Sequence, residues 1–268
     1  MSGNPLEMAL IYGDGGDEEK RWHRSRTASL EYHYTVSHLE DLITKEDRVL
    51  EVGCATGYYA FHYADSCREY LGIDIHPPHI DRFREKIKTS GHSHLSCRLG
   101  DATHLLGIMD QEFDAVLCLG PLYHLPEEEG EAAFSECVRV CRPGGLLAFA
   151  YMNRVGVYAG ACLAQGPDGI YPNSRANRLI LEEGRDDLRP DSFFYTMPED
   201  MERLAARHGL EKIKNLGTDF MITMGLVDRM TPEAFEKMRP LYDQMTRHES
   251  CTGMSNHALL ICRKSSSP

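Results

Sequence analysis

Val-Leu-Glu-Val-Gly-Cys-Ala-Thr-Gly-Tyr, residues 49–58, is the stretch whose reading decides the fold. A short apolar run, 49–52, is broken by a glycine-rich turn. Tyr58, Tyr59, Ala60 and Phe61 then begin a helical pattern. Strand, tight turn, helix is the layout that brings backbone close to a nucleotide-like ligand. Gly53 and Gly57 lack a Cβ, so the turn can take unusual dihedrals and leave room for a ligand. Ala55, the next smallest choice, sits between them. The spacing Gly-x-Ala-x-Gly differs from the Gly-x-Gly-x-x-Gly of dinucleotide binders. A structural turn of any α/β protein is the plain alternative.

Working outward, hydrophobic patterning predicts strands at 48–52, 70–74, 95–99, 113–119 and 146–151. Helices are expected from Tyr58, from Ile80 after His76-Pro77-Pro78, and over 127–141, where Arg142-Pro143-Gly144-Gly145 stops the last one. The run 113–119 is almost wholly apolar, as a strand buried on both faces should be. The order β-α-β-α-β-β-α-β implies a mostly parallel sheet with helices on both faces. Ligands of such sheets bind at the carboxyl ends of the strands. Those ends carry Glu51, Asp74, Gly100-Asp101-Ala102 and Leu119-Gly120-Pro121-Leu122-Tyr123-His124. A carboxylate after strand two suits two ribose hydroxyls, and one after strand three suits an exocyclic amine. Each Asp also has a reading as a loop starter. Their joint placement, each after its own strand, favours a ligand.

The chain has 268 residues, enough for one sizeable core with an attached cap. With 41 acidic and 29 basic residues the formal charge is −12, which argues against a nucleic-acid groove. Lys20, Arg21, Arg24 and Arg26 make a local basic patch, read as a solvated helix face. The nine cysteines are scattered without a Cys-x-x-Cys, and no secretory signal or membrane-length apolar run is seen. Reduced thiols and a cytoplasmic location are expected. Cys137 and Cys141 share a helix face with Phe134 and Val138, a core stripe and not a metal site. No metal is expected. Residues 1–19 are rich in Gly, Asp and Glu and are expected to be loose without ligand.

Together, Glu51-x-Gly53-x-Ala55-x-Gly57, Asp74, Gly100-Asp101-Ala102, Phe113-Asp114-Ala115-Val116 and Arg142-Pro143-Gly144-Gly145 resemble the class I S-adenosylmethionine-dependent methyltransferases, and most of all their small-molecule, type 11-like branch. The match is detailed over about residues 30–151. Ala55 stands where the family more often has glycine. The resemblance implies a Rossmann-like seven-stranded sheet with an antiparallel seventh strand. It implies S-adenosylmethionine as cofactor, with Glu51, Gly53 and Gly57 along its methionine part. Asp74 would hold the ribose, with Ile75 against the adenine. Asp101 would meet the adenine amine, with Ala102 contributing backbone. Leu119 and Gly120 would pass under the ammonium group.

From the layout, a helix is expected over 197–208, a sixth strand over 210–216 and a seventh over 257–263. Helical spacing covers about 18–43, and Thr231 caps a helix from Pro232. The chain divides into an N-terminal helical lid segment (1–44), the cofactor-binding core (45–151), a cap insertion (152–196) and a C-terminal part of the core (197–268) with a second insertion at 217–256. The N-terminal segment and both insertions are expected to build a lid over one pocket, which suits a small-molecule substrate, with no nucleic acid and no membrane. His124 is placed to act as a base, or to shape the pocket, and Tyr123 to orient a substrate. Trp22, Tyr32 and Tyr34 either close over the cofactor or pack as helix core. Tyr151, Asn153 and Arg154, just after strand five, either face the substrate or lie in loop. The favoured function is methyl transfer to an O, N, S or C nucleophile of a small molecule. A non-catalytic cofactor-binding scaffold, and methylation of RNA or protein, are the alternatives.

Overall fold

Seven strands, β1 (Arg48–Val52), β2 (Glu69–Asp74), β3 (Leu95–Leu99), β4 (Phe113–Cys118), β5 (Cys141–Met152), β6 (Leu210–Gly217) and β7 (His257–Lys264), form one sheet in the order β3-β2-β1-β4-β5-β7-β6. The structure is a computed structural model and describes residues 10–165, 172–186, 193–220 and 226–266. Strands β1 to β5 are parallel, and β7 runs antiparallel between β5 and β6. The register sets Val52 beside both Ile73 and Cys118. The carboxyl ends of β2, β1 and β4 therefore meet at one edge.

Side chains alternate across the sheet with a period of two. Val49, Ala115, Leu117 and Ile261 enter the core on one face, with Leu39, Tyr59 and Phe83. Leu50, Val116, Leu147 and Leu260 enter the core on the other, with Phe134. Phe134 stacks on Phe149 with ring centroids 4.0 Å apart. Burying each such ring stabilises the fold by about 1.5–3 kcal/mol. The covering helices are α1 (Arg26–Leu39), α2 (Tyr58–His62), α3 (Pro77–Ser90), α4 (Glu127–Val140), α5 (Arg154–Gln165), α6 (Pro198–Arg207) and α7 (Pro232–Met245), with shorter pieces between them.

Three departures from the sequence expectations have local causes. Strand β5 begins at Cys141, because Pro143-Gly144-Gly145 bulges within the strand instead of preceding it. The pairing jumps from Phe113 opposite Cys141 to Ala115 opposite Leu146. A Cβ on Gly145 would stand 2.5 Å from Cys141 Sγ, so only glycine fits this fold-back. The helical stretch from Glu18 is broken into Gly16–Glu19, Arg21–Arg24 and α1, with Ser25 Oγ capping α1 at Ala28 N, 3.0 Å. Residues 10–19 are not loose. Asp14 pairs with Arg82 and Glu19 with Lys86, both at 2.9 Å, so the segment is tied to α3. Residues 1–9 lie outside the described residues.

The segment 217–256 braces α1. Phe220, Val227, Phe235 and Tyr242 pack on Leu30 and Tyr34. Thr231 Oγ1 caps α7 at Ala234 N. All nine cysteines are free. Among the described residues no helix is long and apolar enough to cross a membrane.

Candidate functional site

The turn after β1 builds the floor of a cleft. Gly53 N and Cys54 N both donate to Ile73 O, at 2.7 and 3.0 Å, which stitches the turn to β2. Gly53 lies at φ 76°, and a Cβ there would be 2.5 Å from Pro121 Cδ. Its missing side chain makes room for the loop after β4. Ala55 lies at φ 44°, in the left-handed region. Its N–H donates to Asp74 Oδ2 at 2.8 Å, while Asp74 Oδ1 accepts from His76 N at 2.8 Å. Asp74 thus joins the first turn to the second.

The cleft holds about 1050 Å³ of atom-free space, the open solvent at its mouth included. Glu51 lies at its base, 2 % exposed, and accepts a hydrogen bond from Tyr70 Oη at 2.9 Å. Burial pushes the Glu51 pKa up to about 8; the nearby Asp74 charge adds to the rise and the Tyr70 bond opposes it. Glu51 is therefore largely protonated at neutral pH.

The N-terminal segment forms the opposite wall. Tyr12 Oη lies 2.8 Å from His124 Nε2, and its ring meets His79 edge-on at 5.1 Å. His76 Nε2 lies 2.9 Å from Gly13 O. Burial, helped by the Arg21 charge, lowers the His124 pKa to about 4, and burial raises that of Tyr12 well above its ordinary value. Tyr12 keeps its proton and donates it to a neutral imidazole. His124 Nδ1 and His79 Nε2 are buried without a partner among the described residues. Such orphaned groups are uncommon in folded proteins and mark places for a ligand's polar atoms.

Arg21 places one guanidinium nitrogen on both oxygens of Glu31, at 3.1 and 3.0 Å, and stacks over Trp22 at 4.6 Å. Glu31 Oε2 lies 3.8 Å from His257 Nδ1, which lies 2.8 Å from Asp219 Oδ2. Burial works against a charge on His257, but Glu31 and Asp219 outweigh it and hold its pKa above the ordinary value. Asp219, though buried, is held below the usual carboxylate range by His257.

Glu51, Gly53, Asp74, Ile75, Asp101, Ala102, Leu119, Gly120, Tyr123 and His124 all line this cleft. Asp101 Oδ1 is bonded to Thr103 N and Oγ1, both at 2.9 Å. Gly57 does not line it. At φ 83° it caps α2, and a Cβ there would run into the Phe83 ring. Tyr34 does not line it either, because its ring packs in the cluster under α7 and its hydroxyl donates to Asp243. Tyr151 is buried with its hydroxyl on Asn215 Oδ1 at 2.7 Å. Asn153 is fully buried and bonds Thr252 O and Val155 N, a joint and not a ligand contact. Arg154 and Tyr151 line a separate cleft beneath the cap, which shares only Tyr123 and Leu125 with the first. Trp22 lines the first cleft; Tyr32 packs against Trp22, Tyr58 and Tyr59. Sequence reasoning missed Tyr12, Glu18, Arg21, Glu31, His76 and His79 as lining residues. The flanking histidines of His76-Pro77-Pro78-His79, just after Asp74, were the available signal. Among the described residues no group of three or more His, Cys, Asp or Glu is arranged to hold a metal ion.

Residues 49–145 match a family described as a methyltransferase domain. A ubiquinone biosynthesis O-methyltransferase of Thiobacillus denitrificans is 29% identical over 148 residues, 55% of this chain and 60% of the relative. Across the first curated relatives the chain spans 41–60% of their length. The N-methyltransferase NodS of Bradyrhizobium japonicum, solved in complex with S-adenosyl-L-homocysteine, superposes with a TM-score of 0.59 at 15% identity, covering 97% of this chain and 99% of that one. A complex of the Haloferax volcanii Trm112 methyltransferase activator and a putative methyltransferase gives a TM-score of 0.61 at 18% identity, covering 100% and 99%. At these identities the two structures speak for the fold.

Proposed function

We propose that the chain, which carries a methyltransferase domain over residues 49–145 on a seven-stranded sheet, is a class I S-adenosylmethionine-dependent methyltransferase that moves a methyl group to a small molecule held in the cleft under the N-terminal segment. The observation that carries this reading is the convergence of Glu51, Asp74 and Asp101, each from its own strand end, on one enclosed space. The cradle fits an adenosyl amino acid. At Gly120 a Cβ would sit in ordinary van der Waals contact with Gly53 O at 3.7 Å and Tyr123 Oη at 3.9 Å.

Glu51 and Gly120 face the amino-acid end, Asp74 the ribose hydroxyls, and Ile75, Asp101 and Ala102 the adenine. When bound, the cofactor supplies a methyl carbon already activated on a sulfonium. What remains for the chain is alignment and a dry site. Tyr12, Trp22 and Arg21 close the open side as a lid. The cap segment 193–196 buttresses it from behind through Phe194 N to Tyr123 O at 2.9 Å and Phe193 against His124 at 5.1 Å. His124, neutral and bonded to Tyr12, serves as wall and not as base. An acidic chain whose cleft is covered in this way suits a small acceptor better than RNA.

The test is calorimetry with S-adenosylmethionine, S-adenosylhomocysteine and NAD, followed by methyl transfer to a panel of small phenols, alcohols and amines. Binding of the two adenosyl ligands and not of NAD is expected. Binding of NAD alone overturns the reading.

A further inference from the structure

Among the described residues, five carboxyl groups line the cleft, Glu18, Glu31, Glu51, Asp74 and Asp101, against one side chain of fixed positive charge, Arg21. Four of the five are engaged. Glu51 is largely protonated at neutral pH and accepts from Tyr70. Asp74 accepts from Ala55 N and His76 N and lies 3.3 Å from His79 Nδ1. Asp101 accepts from Thr103 N and Oγ1, and Glu31 holds Arg21 through both oxygens. Glu18 differs. Its Oε1 meets Arg21 Nη1 at 3.5 Å, a long contact, and its Oε2 has no donor among the described residues. The side chain nevertheless keeps only 15% of its surface accessible. An ionised carboxylate has about four acceptor sites, and one this far out of water is stabilised by a partner of opposite charge. Glu18 stands in the wall made by the N-terminal segment, opposite Glu51. Lys86 Nζ secures that wall, bonding the neighbouring Glu19 and Thr56 O, both at 2.9 Å. Burial raises the pKa of Tyr12 and of Tyr123, and the Glu18 charge adds to both rises, so the carboxylate stands near both hydroxyls. Trp22, Tyr58 and Tyr59 line the same space.

We propose that Glu18 recognises an ammonium group, and that this group belongs to the methyl acceptor, a small molecule carrying a protonated amine. This rests on the methyltransferase reading above. A carboxylate set among aromatic rings is the surrounding that selects an ammonium group, through charge and through the ring faces together. The excess of carboxylates along the cleft draws cations toward it. An anionic acceptor has no such reception. Arg21 is committed to Glu31, and Glu18 repels a second negative charge. The cofactor carries an ammonium group too, but Glu51 at the base of the cleft answers that one. Glu18, in the opposite wall and beside the Tyr12 hydroxyl that bonds His124, is left for a second cation. Glu31 holds Arg21 without help from Glu18, so a change at position 18 removes the charge and leaves the guanidinium anchored.

The experiment uses the full chain saturated with S-adenosylhomocysteine and three probes of one shape, benzylamine, benzyl alcohol and benzoate, which at neutral pH are cationic, neutral and anionic. Their affinities are measured at low salt by ligand-observed NMR. Benzylamine should bind about tenfold more tightly than benzyl alcohol, with benzoate weakest. Added salt should weaken the amine and not the alcohol. Glu18→Gln should bring the amine down to the level of the alcohol and leave the Kd for S-adenosylhomocysteine within about twofold. An amine that binds no better than the alcohol overturns the proposal, and so does a preference that survives Glu18→Gln. The affinity of 5′-methylthioadenosine, which lacks the amino-acid end, separates the two sources of ammonium. If Glu18→Gln weakens S-adenosylhomocysteine by about tenfold and spares 5′-methylthioadenosine, Glu18 holds the cofactor's own ammonium and the acceptor assignment falls. If it weakens both, Glu18 acts through the fold and the assignment falls as well. Failure of the wild-type chain to bind S-adenosylhomocysteine overturns the methyltransferase reading instead.

Discussion

Asp74 Oδ2 holds the backbone N–H of Ala55 at 2.8 Å while Ala55 sits at φ 44°. One carboxylate therefore keeps a left-handed alanine in the turn that floors the cleft. Removing it in Asp74→Ala frees the turn and takes away the acceptor for two hydroxyls. Binding of S-adenosylhomocysteine should weaken by about 1.5–3 kcal/mol, measured by calorimetry. Unchanged affinity would move the ribose site elsewhere.

The same pair predicts a gain. A left-handed L-residue costs about 1–2 kcal/mol, and glycine gives part of that back as extra freedom in the unfolded chain. Ala55→Gly should stabilise the fold by about 0.5–1 kcal/mol, read as a Tm rise of about 1–4 °C. A lower Tm would show that the Ala55 methyl packs favourably.

Gly57→Ala should do the opposite. The added Cβ meets Phe83 and a positive φ together, so a loss of about 2–4 kcal/mol is expected in a denaturant titration. Because Gly57 is outside the cleft, the Kd for S-adenosylhomocysteine, measured well below the melting range, should stay within about twofold. A large loss of affinity at full stability would put Gly57 back against the ligand.

Glu51 makes cofactor binding sensitive to pH. Its folded pKa, about 8, is raised above the usual 4.5, so the stability it confers is fully present below pH 4.5 and lost as pH rises through 8. The loss is of order 4 kcal/mol. A cationic amino-acid end beside Glu51 favours the carboxylate, so binding should release a proton and tighten between pH 6 and 8. Calorimetry in buffers of different ionisation heat measures that proton. Glu51→Gln should remove both effects, and a proton count of zero in the wild type would refute the assignment.

His124 works in the other direction. Its folded pKa, about 4, lies below the usual 6.5. Its contribution is fully present above pH 6.5 and is lost as pH falls through 4, a change of order 3 kcal/mol. Protonation also breaks its role as acceptor for Tyr12. The single tryptophan, Trp22, lies in the same wall and reports the opening by fluorescence. The acid transition should shift to lower pH in His124→Gln, and an unmoved transition would place its cause elsewhere.

The sequence by itself determined the sheet and the polar groups along its ligand edge. Apolar runs and the glycine turn are local signals, so β1 and β3 were legible to the residue, and Asp74 and Asp101 were legible because one ends β2 and the other stands two residues past β3. It did not determine which way a side chain turns once the backbone leaves a strand. Tyr151 and Asn153 stand at the carboxyl end of β5, one inside the strand and one just past it, yet the packing of β6 and of residues 249–254 turns both into buried joints. Partners far apart in the chain were equally invisible: Tyr12 meets His124 across 112 positions, and Tyr34 meets Asp243 across 209. Thirteen histidines read alike in the sequence. Only the tertiary structure decided that burial lowers the His124 pKa beside Tyr12 while Glu31 and Asp219 raise that of His257, because burial and neighbouring charge, not residue type, set where an imidazole holds its proton.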